Sequence, residues 1–276
     1  MLAALIIVFR EVFEAGLIVG IVLAATRGTP ARGWWIAGGV GAGTFGSCLV
    51  ALFASAISSA FAGAGQELFN AAVLSVAVVM LTWHNVWMSR HGHDMAESLQ
   101  AAGQAVTEGS KPLAALAVVV GVAVLREGFE VVMFLYGVLA TETTTGLAVF
   151  AGGIAGLLLG VGVCLATYYG LVNIPSRYLF SVTGFMIAFL AAGMAAQAIG
   201  FLEQANIVTA FDNVVWDSSW LLPGASFLGR ALRTLIGYSD RPTGMQLVAY
   251  LGTLAVMFGL MRLMASPASR RRPATG

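Results

Sequence analysis

The sequence predicts an all-α polytopic membrane protein of about seven transmembrane helices, arranged as an inverted 3+3 repeat plus one C-terminal helix. Of the 276 residues, 59% are hydrophobic and only 10% are charged, whereas soluble domains carry roughly 25% charged residues. Apolar stretches of about 20 residues, long enough for a helix to cross a bilayer, recur along the chain. A short motif with three charged residues also occurs twice.

Seven apolar stretches are the predicted membrane spans. They cover about residues 2–25, 34–60, 67–89, 113–139, 147–171, 178–202 and 246–265. The first stretch has no basic leader region and no cleavage site, so we expect it to remain as the first helix. Cys48 and Cys164 fall inside apolar stretches and are expected to pack there as small hydrophobic side chains.

Basic residues in the connections predict the orientation in the cell (inner) membrane. Successive helices alternate in direction, and the connections richer in Lys and Arg face the cytoplasm. One set of connections and ends contains Arg27, Arg32, Arg90, Lys111, Arg177, Arg262 and the tail arginines Arg270, Arg271 and Arg272. The N-terminus is therefore expected outside and the C-terminus in the cytoplasm. Arg230, Arg233 and Arg241 lie in a long outer segment, and long segments cross largely regardless of charge.

The chain contains an internal repeat. Residues 10–14, Arg-Glu-Val-Phe-Glu, recur as Arg-Glu-Gly-Phe-Glu at 126–130, an offset of 116. Ala-Gly-Gly at 37–39 recurs at 151–153, an offset of 114. Three helices in the first copy give the second copy the opposite orientation, which is typical of transporters that work by alternating access.

This repeat divides the chain into four predicted parts. They are a first three-helix repeat with its cytoplasmic connection (1–112), a second three-helix repeat (113–202), an extracytoplasmic segment (203–245), and a seventh helix with a basic tail (246–276).

The repeated motif places charged side chains inside predicted membrane spans, where contact with lipid is unfavourable. Its two glutamates are three residues apart and therefore share a helix face, and both copies lie about midway along their spans. Each buried charge costs on the order of 2.5–3.5 kcal/mol. Arg10 and Arg126 can each pair with the glutamate one turn away, Glu14 or Glu130, which leaves a formal surplus of minus two. Such an oxygen-rich set suits a hard cation. These residues alone do not distinguish between ferric iron, ferrous iron, manganese and calcium.

The motif resembles that of the oxidase-dependent iron permease family, Arg-Glu-Gly-Leu-Glu. The second copy differs only at Phe129, the first at Val12 and Phe13, and the stretch 216–222 is also similar to bacterial members. The resemblance implies high-affinity iron uptake, with iron oxidised from ferrous to ferric during delivery by an external oxidase, peroxidase or iron-binding partner. It further implies four iron ligands and two supporting arginines. The ligands are Glu11, Glu14, Glu127 and Glu130, and the supporting residues are Arg10 and Arg126.

Other polar residues are weaker candidates. Glu67, Asp212 and Asp217 are candidates for the outer mouth where the ion arrives, with a solvated helix start and an interfacial tryptophan belt as the alternatives. His84 is expected to make a hydrogen bond between helices rather than to bind metal. His91 and His93 are expected in a solvated connection, with brief metal binding as the alternative.

The sequence thus predicts a transporter, with iron as its substrate, no permanently bound cofactor, and no nucleic-acid partner because the net charge is only +1. Besides the external protein, membrane lipid is an expected partner. Inward movement of the cation would be favoured by the membrane potential. Binding of the cation would require ionised carboxylates. The alternatives are a transporter of another metal, an intramembrane hydrolase with paired carboxylates, and a seven-helix receptor.

Overall fold

The computed structural model describes residues 1–60, 65–140, 145–170, 176–224 and 226–264 as a bundle of helices. The helices are α1 (Leu2–Ala25), α2 (Arg32–Ala60), α3 (Gln66–Thr107), α4 (Ala114–Ala140), α5 (Gly146–Tyr168), α6 (Ser176–Gln204), α7 (Phe227–Ile236) and α8 (Gly244–Met264). Within these described ranges, β structure is limited to one bridge between Val214 and Thr243.

The long helices confirm the predicted all-α membrane architecture. Five helices have a segment long and apolar enough to cross a bilayer: α2, α3, α5, α6 and α8. Helices α1 and α4 have 24 and 27 residues and carry the charged motifs. The short connections between the predicted spans near 63–66, 141–146 and 174–177 lie partly outside the described residues. The tail arginines and the side chains of Arg90, Arg177 and Arg230 lie entirely outside the described residues.

Helix α3 is longer than the sequence predicts. The polar connection between the predicted spans 67–89 and 113–139 is helical for most of its length, because α3 continues to Thr107. Leu99 and Val106, on one face of this extension, are buried in an apolar cluster with α1, α2 and α4. The sequence does not show this packing partner, so the polar composition of the stretch does not by itself predict a long helix.

The two repeats pack in matching pairs. Helix α1 packs most extensively against α5, and its counterpart α4 packs most extensively against α2. Glycines allow the backbones to touch: a Cβ added at Gly156 would lie 2.5 Å from the Leu5 oxygen, and one at Gly43 would lie 2.7 Å from the Gly121 oxygen. Leu5 and Gly121 differ by 116, the offset of the charged motif. The two interfaces are therefore equivalent.

The contacts correct the register of the second repeated element. Gly39 faces Ala117 and Gly152 faces Met1, and Ala117 and Met1 are again 116 residues apart. Gly39 therefore corresponds to Gly152, an offset of 152 − 39 = 113 rather than the 114 of the matching tripeptides. The tripeptides match in letters, whereas helix packing selects the glycine that touches the neighbouring backbone.

The segment between α6 and α8 partly enters the bundle. Helix α7 is capped by Ser226, whose Oγ accepts from Gly229 N at 3.0 Å, and it ends at Gly237 with φ of 69°. A Cβ at Gly193 would lie 2.7 Å from the Gly237 Cα, and Gly193 is central in the apolar segment Val182–Gln204. The predicted extracytoplasmic segment thus reaches the depth of the middle of a membrane span.

A cavity of about 190 Å³ accompanies this re-entrant backbone. Its polar lining residues include Gln197, Gln204, Arg233 and Tyr238. Irregular backbone at membrane depth is tolerated where it is buried in protein or lines a water-filled space. The cavity supplies such a space.

The close helix contacts predict a position-specific effect of added volume. We expect Gly156→Val to lower the free energy of unfolding by about 1–3 kcal/mol, because the side chain would overlap the α1 backbone. Gly162→Val is the matched control on the same helix, since nothing lies within 4 Å of its Cβ position. Unfolding in mixed detergent measures both. Equal stability of the two variants would contradict the described interface.

The cavity predicts water access beside α6. In a variant with Cys48 and Cys164 replaced by Ala, we expect Ala196→Cys to react faster with a membrane-impermeant thiosulfonate reagent than Val248→Cys. Ala196 lines the cavity, whereas Val248 lies on the exposed apolar surface of α8 and should face lipid. Labelling is followed by mass spectrometry in sealed vesicles. Comparable slow labelling at both positions would rule out a hydrated cavity.

Candidate metal centre

The two charged motifs meet at the contact between α1 and α4. Glu11 and Glu14 lie midway along α1, and Glu127 and Glu130 lie midway along α4. All four side chains are buried, with 1–7% of each residue exposed. The acids of the two motifs therefore lie in one buried region of the bundle.

A tighter group within this cluster includes a histidine. Glu11, His84, Glu127 and Glu130 each offer one ligand atom, and these atoms all lie within 4.8 Å of one another. Glu14 lies beside this group but outside it. The structure thus brings three of the predicted ligands together with a residue that the sequence did not favour as a ligand.

The two supporting arginines have different surroundings. Arg10 is buried and contacts two acids, with Nη1 3.1 Å from Glu11 Oε1 and Nε 2.9 Å from Glu14 Oε1. Arg126 has a side chain that is 39% exposed, and its Nε lies 3.2 Å from Glu130 Oε1. Its guanidinium also lies over the Trp87 ring, 4.7 Å from the centroid. The inverted repeat is therefore asymmetric at its charges.

His84 joins the acids of both repeats. Its Nε2 lies 3.2 Å from Glu14 Oε2 on α1, and its Nδ1 contacts Glu130 Oε2 on α4. The expected hydrogen bond between helices is thus confirmed. The available sequence signal is a polar residue toward the inner end of an apolar span, and nothing in the sequence specifies that its partners are the motif glutamates.

The cluster has buried polar atoms that lack hydrogen bonds. Among the described residues these side-chain atoms all belong to it: Glu11 Oε2, Glu14 Oε1, His84 Nδ1, Glu127 Oε2 and Glu130 Oε2. Of these, Glu14 Oε1 has the ion-pair contact with Arg10 and His84 Nδ1 contacts Glu130. Buried polar atoms without partners are costly. Four carboxylates against two guanidiniums also leave a formal surplus of minus two, so the donor set suits a cation.

Apolar layers enclose the charges on both sides. One layer contains fully buried Ile7, Leu81, Phe134 and Ile187. The other contains the α1 residues Ile18 and Val22 and joins them to residues of α2, α3 and α4. The charged side chains lie between these layers along α1, α3 and α4, where water is scarce and electrostatic interactions are strong.

The candidates for an outer mouth lie apart from the cavity lining. Glu67, Asp212 and Asp217 are exposed, and the residues that line the cavity of about 190 Å³ do not include them. Hydrogen bonds from Ser219 and then Arg241 lower the pKa of Asp217 to about 2, so this acid is ionised at neutral pH. The side chains of His91 and His93 lie outside the described residues.

Comparison with known proteins places the chain among iron transporters. The family described as the iron permease FTR1 family matches residues 1–270. A protein named ferrous iron permease EfeU from Yersinia pestis is 32% identical over 255 residues, covering 91% of this chain and 89% of the relative. The protein of the same name from Shigella sonnei is 31% identical, covering 98% of this chain and 99% of the relative. No solved structure matches the chain.

The unequal arginine surroundings predict unequal stability effects. We expect Arg10→Gln to lower the free energy of unfolding by about 3–5 kcal/mol, because it leaves buried carboxylates without their cation. Arg126→Gln should lower the free energy of unfolding by less, because that side chain is partly exposed and contacts one carboxylate. Unfolding in mixed detergent at neutral pH provides the comparison. A larger loss for Arg126→Gln would show that the described asymmetry is wrong.

Proposed function

This chain belongs to the iron permease FTR1 family, and we propose that it is a high-affinity permease that imports iron through the buried carboxylate cluster. The observation that carries this proposal is the convergence of acids from both repeats into one enclosed group with a surplus of negative charge. A structural role for the ion pairs would need only one acid for each arginine. The additional carboxylates are explained by a cation that binds between them.

The proposed substrate is iron rather than a harder divalent ion. Carboxylates alone would suit magnesium, calcium or manganese, whereas a site that also offers imidazole suits iron and the later transition metals. The relatives from Yersinia pestis and Shigella sonnei are named ferrous iron permeases, which favours ferrous iron as the bound species. Delivery of ferric iron by an external oxidase is the alternative. It predicts that uptake from a ferrous supply requires an oxidant.

The proposed mechanism is alternating access around a fixed site. The apolar layers on either side of the cluster act as two gates, and relative movement of the repeats opens them in turn. The N-terminus is outside and the C-terminus cytoplasmic in this proposal, and the cluster lies near the bilayer midplane. A divalent cation moving inward then gains roughly 4.6 kcal/mol from a 100 mV potential, at about 2.3 kcal/mol for each charge.

The outer face offers a place for a protein partner. Trp216 and Trp220 are 46% and 81% exposed, and the ion pair of Asp217 with Arg241, 2.9 Å, lies beside them. Exposed aromatic side chains with neighbouring charges are typical of interface centres. An external oxidase, peroxidase or iron-binding protein would dock here, and Glu67, Asp212 and Asp217 would attract the arriving ion.

The carboxylates of both repeats should be needed for uptake. We expect Glu11→Gln and Glu127→Gln each to lower uptake of radioactive ferrous iron by about tenfold or more, because each removes a charged ligand. Glu108→Gln, at the exposed C-terminal cap of α3, is the control. Uptake is measured in proteoliposomes with an imposed inside-negative potential. Wild-type vesicles that accumulate no iron, or both variants transporting normally, would refute the proposal.

A further inference from the structure

We propose that His84 is a nitrogen ligand of the transported metal and that Glu14 orients this histidine instead of binding the metal itself. The inference rests on the proposed function and assigns different roles to glutamates that the motif makes look equivalent. It also assigns a ligand on α3, outside both repeated motifs.

A chain of contacts holds the imidazole. Arg10 Nε lies 2.9 Å from Glu14 Oε1, and Glu14 Oε2 lies 3.2 Å from His84 Nε2. Both Glu14 oxygens therefore have a protein partner. Arg10, Glu14 and His84 are each about 3% exposed, so water does not compete for these contacts. Glu14 also lies outside the group Glu11, His84, Glu127 and Glu130, whose ligand atoms all lie within 4.8 Å of one another.

The same contacts fix the direction of the histidine. In the metal-bound tautomer that we propose, Nε2–H donates to Glu14 and the lone pair of Nδ1 is directed towards Glu130 Oε2, which Nδ1 contacts. A lone pair and a carboxylate oxygen repel each other unless a proton or a metal ion lies between them, and a bound metal would take the place of that proton. Metal-binding histidines commonly donate their second ring N–H to a carboxylate, which fixes the tautomer and strengthens the ligand. Glu14 occupies the position of that carboxylate.

The other three acids have oxygens available for metal. Glu11, Glu127 and Glu130 each have an Oε2 without a hydrogen-bond partner among the described residues. Glu130 Oε2 contacts His84 Nδ1, and we assign the ion to the place between these two atoms. His84 Nδ1 is also without such a partner. Glu11, Glu127 and Glu130 form with His84 the group in which one ligand atom from each residue lies within 4.8 Å of the others. The resulting set is three carboxylates and one imidazole, at a distance that modest side-chain movement can close around one ion.

The histidine makes the site chemically selective and breaks the repeat symmetry. The chain has three histidines, His84, His91 and His93, so α6, the counterpart of α3, provides none. An imidazole favours iron over magnesium and calcium, which prefer oxygen ligands. Replacing His84 by an acid should retain a cation site while removing that preference.

Pulsed electron paramagnetic resonance of bound Mn²⁺ tests the nitrogen ligand directly. Mn²⁺ alone is added to purified full-length protein labelled with ¹⁵N-histidine, and nitrogen hyperfine coupling is recorded. We expect ¹⁵N coupling in the wild type and in a His91→Gln, His93→Gln variant, and its loss in His84→Gln. Coupling that is absent from the wild type, or that persists in His84→Gln, overturns the assignment. The wild-type measurements remain decisive if His84→Gln does not fold.

Transport by Glu14 variants tests the orienting role. The amide oxygen introduced by Glu14→Gln can still accept from His84 Nε2, so this variant should lose less apparent affinity for ferrous iron than Glu127→Gln. Glu14→Ala should lower the apparent affinity for ferrous iron about 10–100-fold, the usual effect of removing such a supporting group. Its affinity should resemble that of His84→Gln. Equal losses for Glu14→Gln and Glu127→Gln would make Glu14 a ligand and overturn this role.

Selectivity provides a readout that a merely structural histidine would not change. In vesicles containing His84→Asp, we expect Ca²⁺ and Mg²⁺ to compete with ferrous iron about tenfold more effectively than in wild type. Unchanged competition with retained uptake overturns the selectivity role. Iron uptake by wild type without nitrogen coupling refutes only the ligand assignment, whereas wild-type vesicles that take up no iron refute the proposed function.

Discussion

Burial of four carboxylates and the Arg10 guanidinium within one helical bundle is the constraint on which the rest of the structure depends. Each isolated charge would cost several kilocalories per mole in lipid, so the charges must compensate one another. Arg10 is enclosed with Glu11 and Glu14, while Arg126 pairs with Glu130. The remaining negative charge creates affinity for a cation. The same imbalance thus links the packing of the charges in the fold to the proposed transport site.

The repeated fold makes this concentration of charge possible. Glycine contacts hold α1 close to α5 and α4 close to α2 in equivalent registers, so that the motif helices meet with their acids facing each other. Apolar layers then enclose the acids on both sides. The symmetry is not carried through to the charges: His84 has no counterpart in α6, and only Arg10 of the two arginines is fully buried. Such asymmetry gives glutamates in identical motifs different partners.

The sequence predicts this architecture where a local pattern has one physical explanation. Apolar length specifies the seven long helices, and duplicated charge specifies the facing acids. Helix packing determines the features that the sequence does not predict. The polar extension of α3 is helical because Leu99 and Val106 find an apolar partner surface, and Gly237 reaches the middle of α6 because Gly193 leaves room for its backbone. The proximity of His84 to Glu14 and Glu130 likewise depends on helix packing, which a single sequence does not reveal.

Metal-binding stoichiometry tests the central claim, that both repeats contribute to one site, most directly. Anaerobic calorimetry with ferrous iron on the purified protein should give one high-affinity site for each chain. Either Glu11→Gln or Glu127→Gln should weaken that single site. Two independent sites for each chain, each sensitive to substitution in only one motif, would contradict the account.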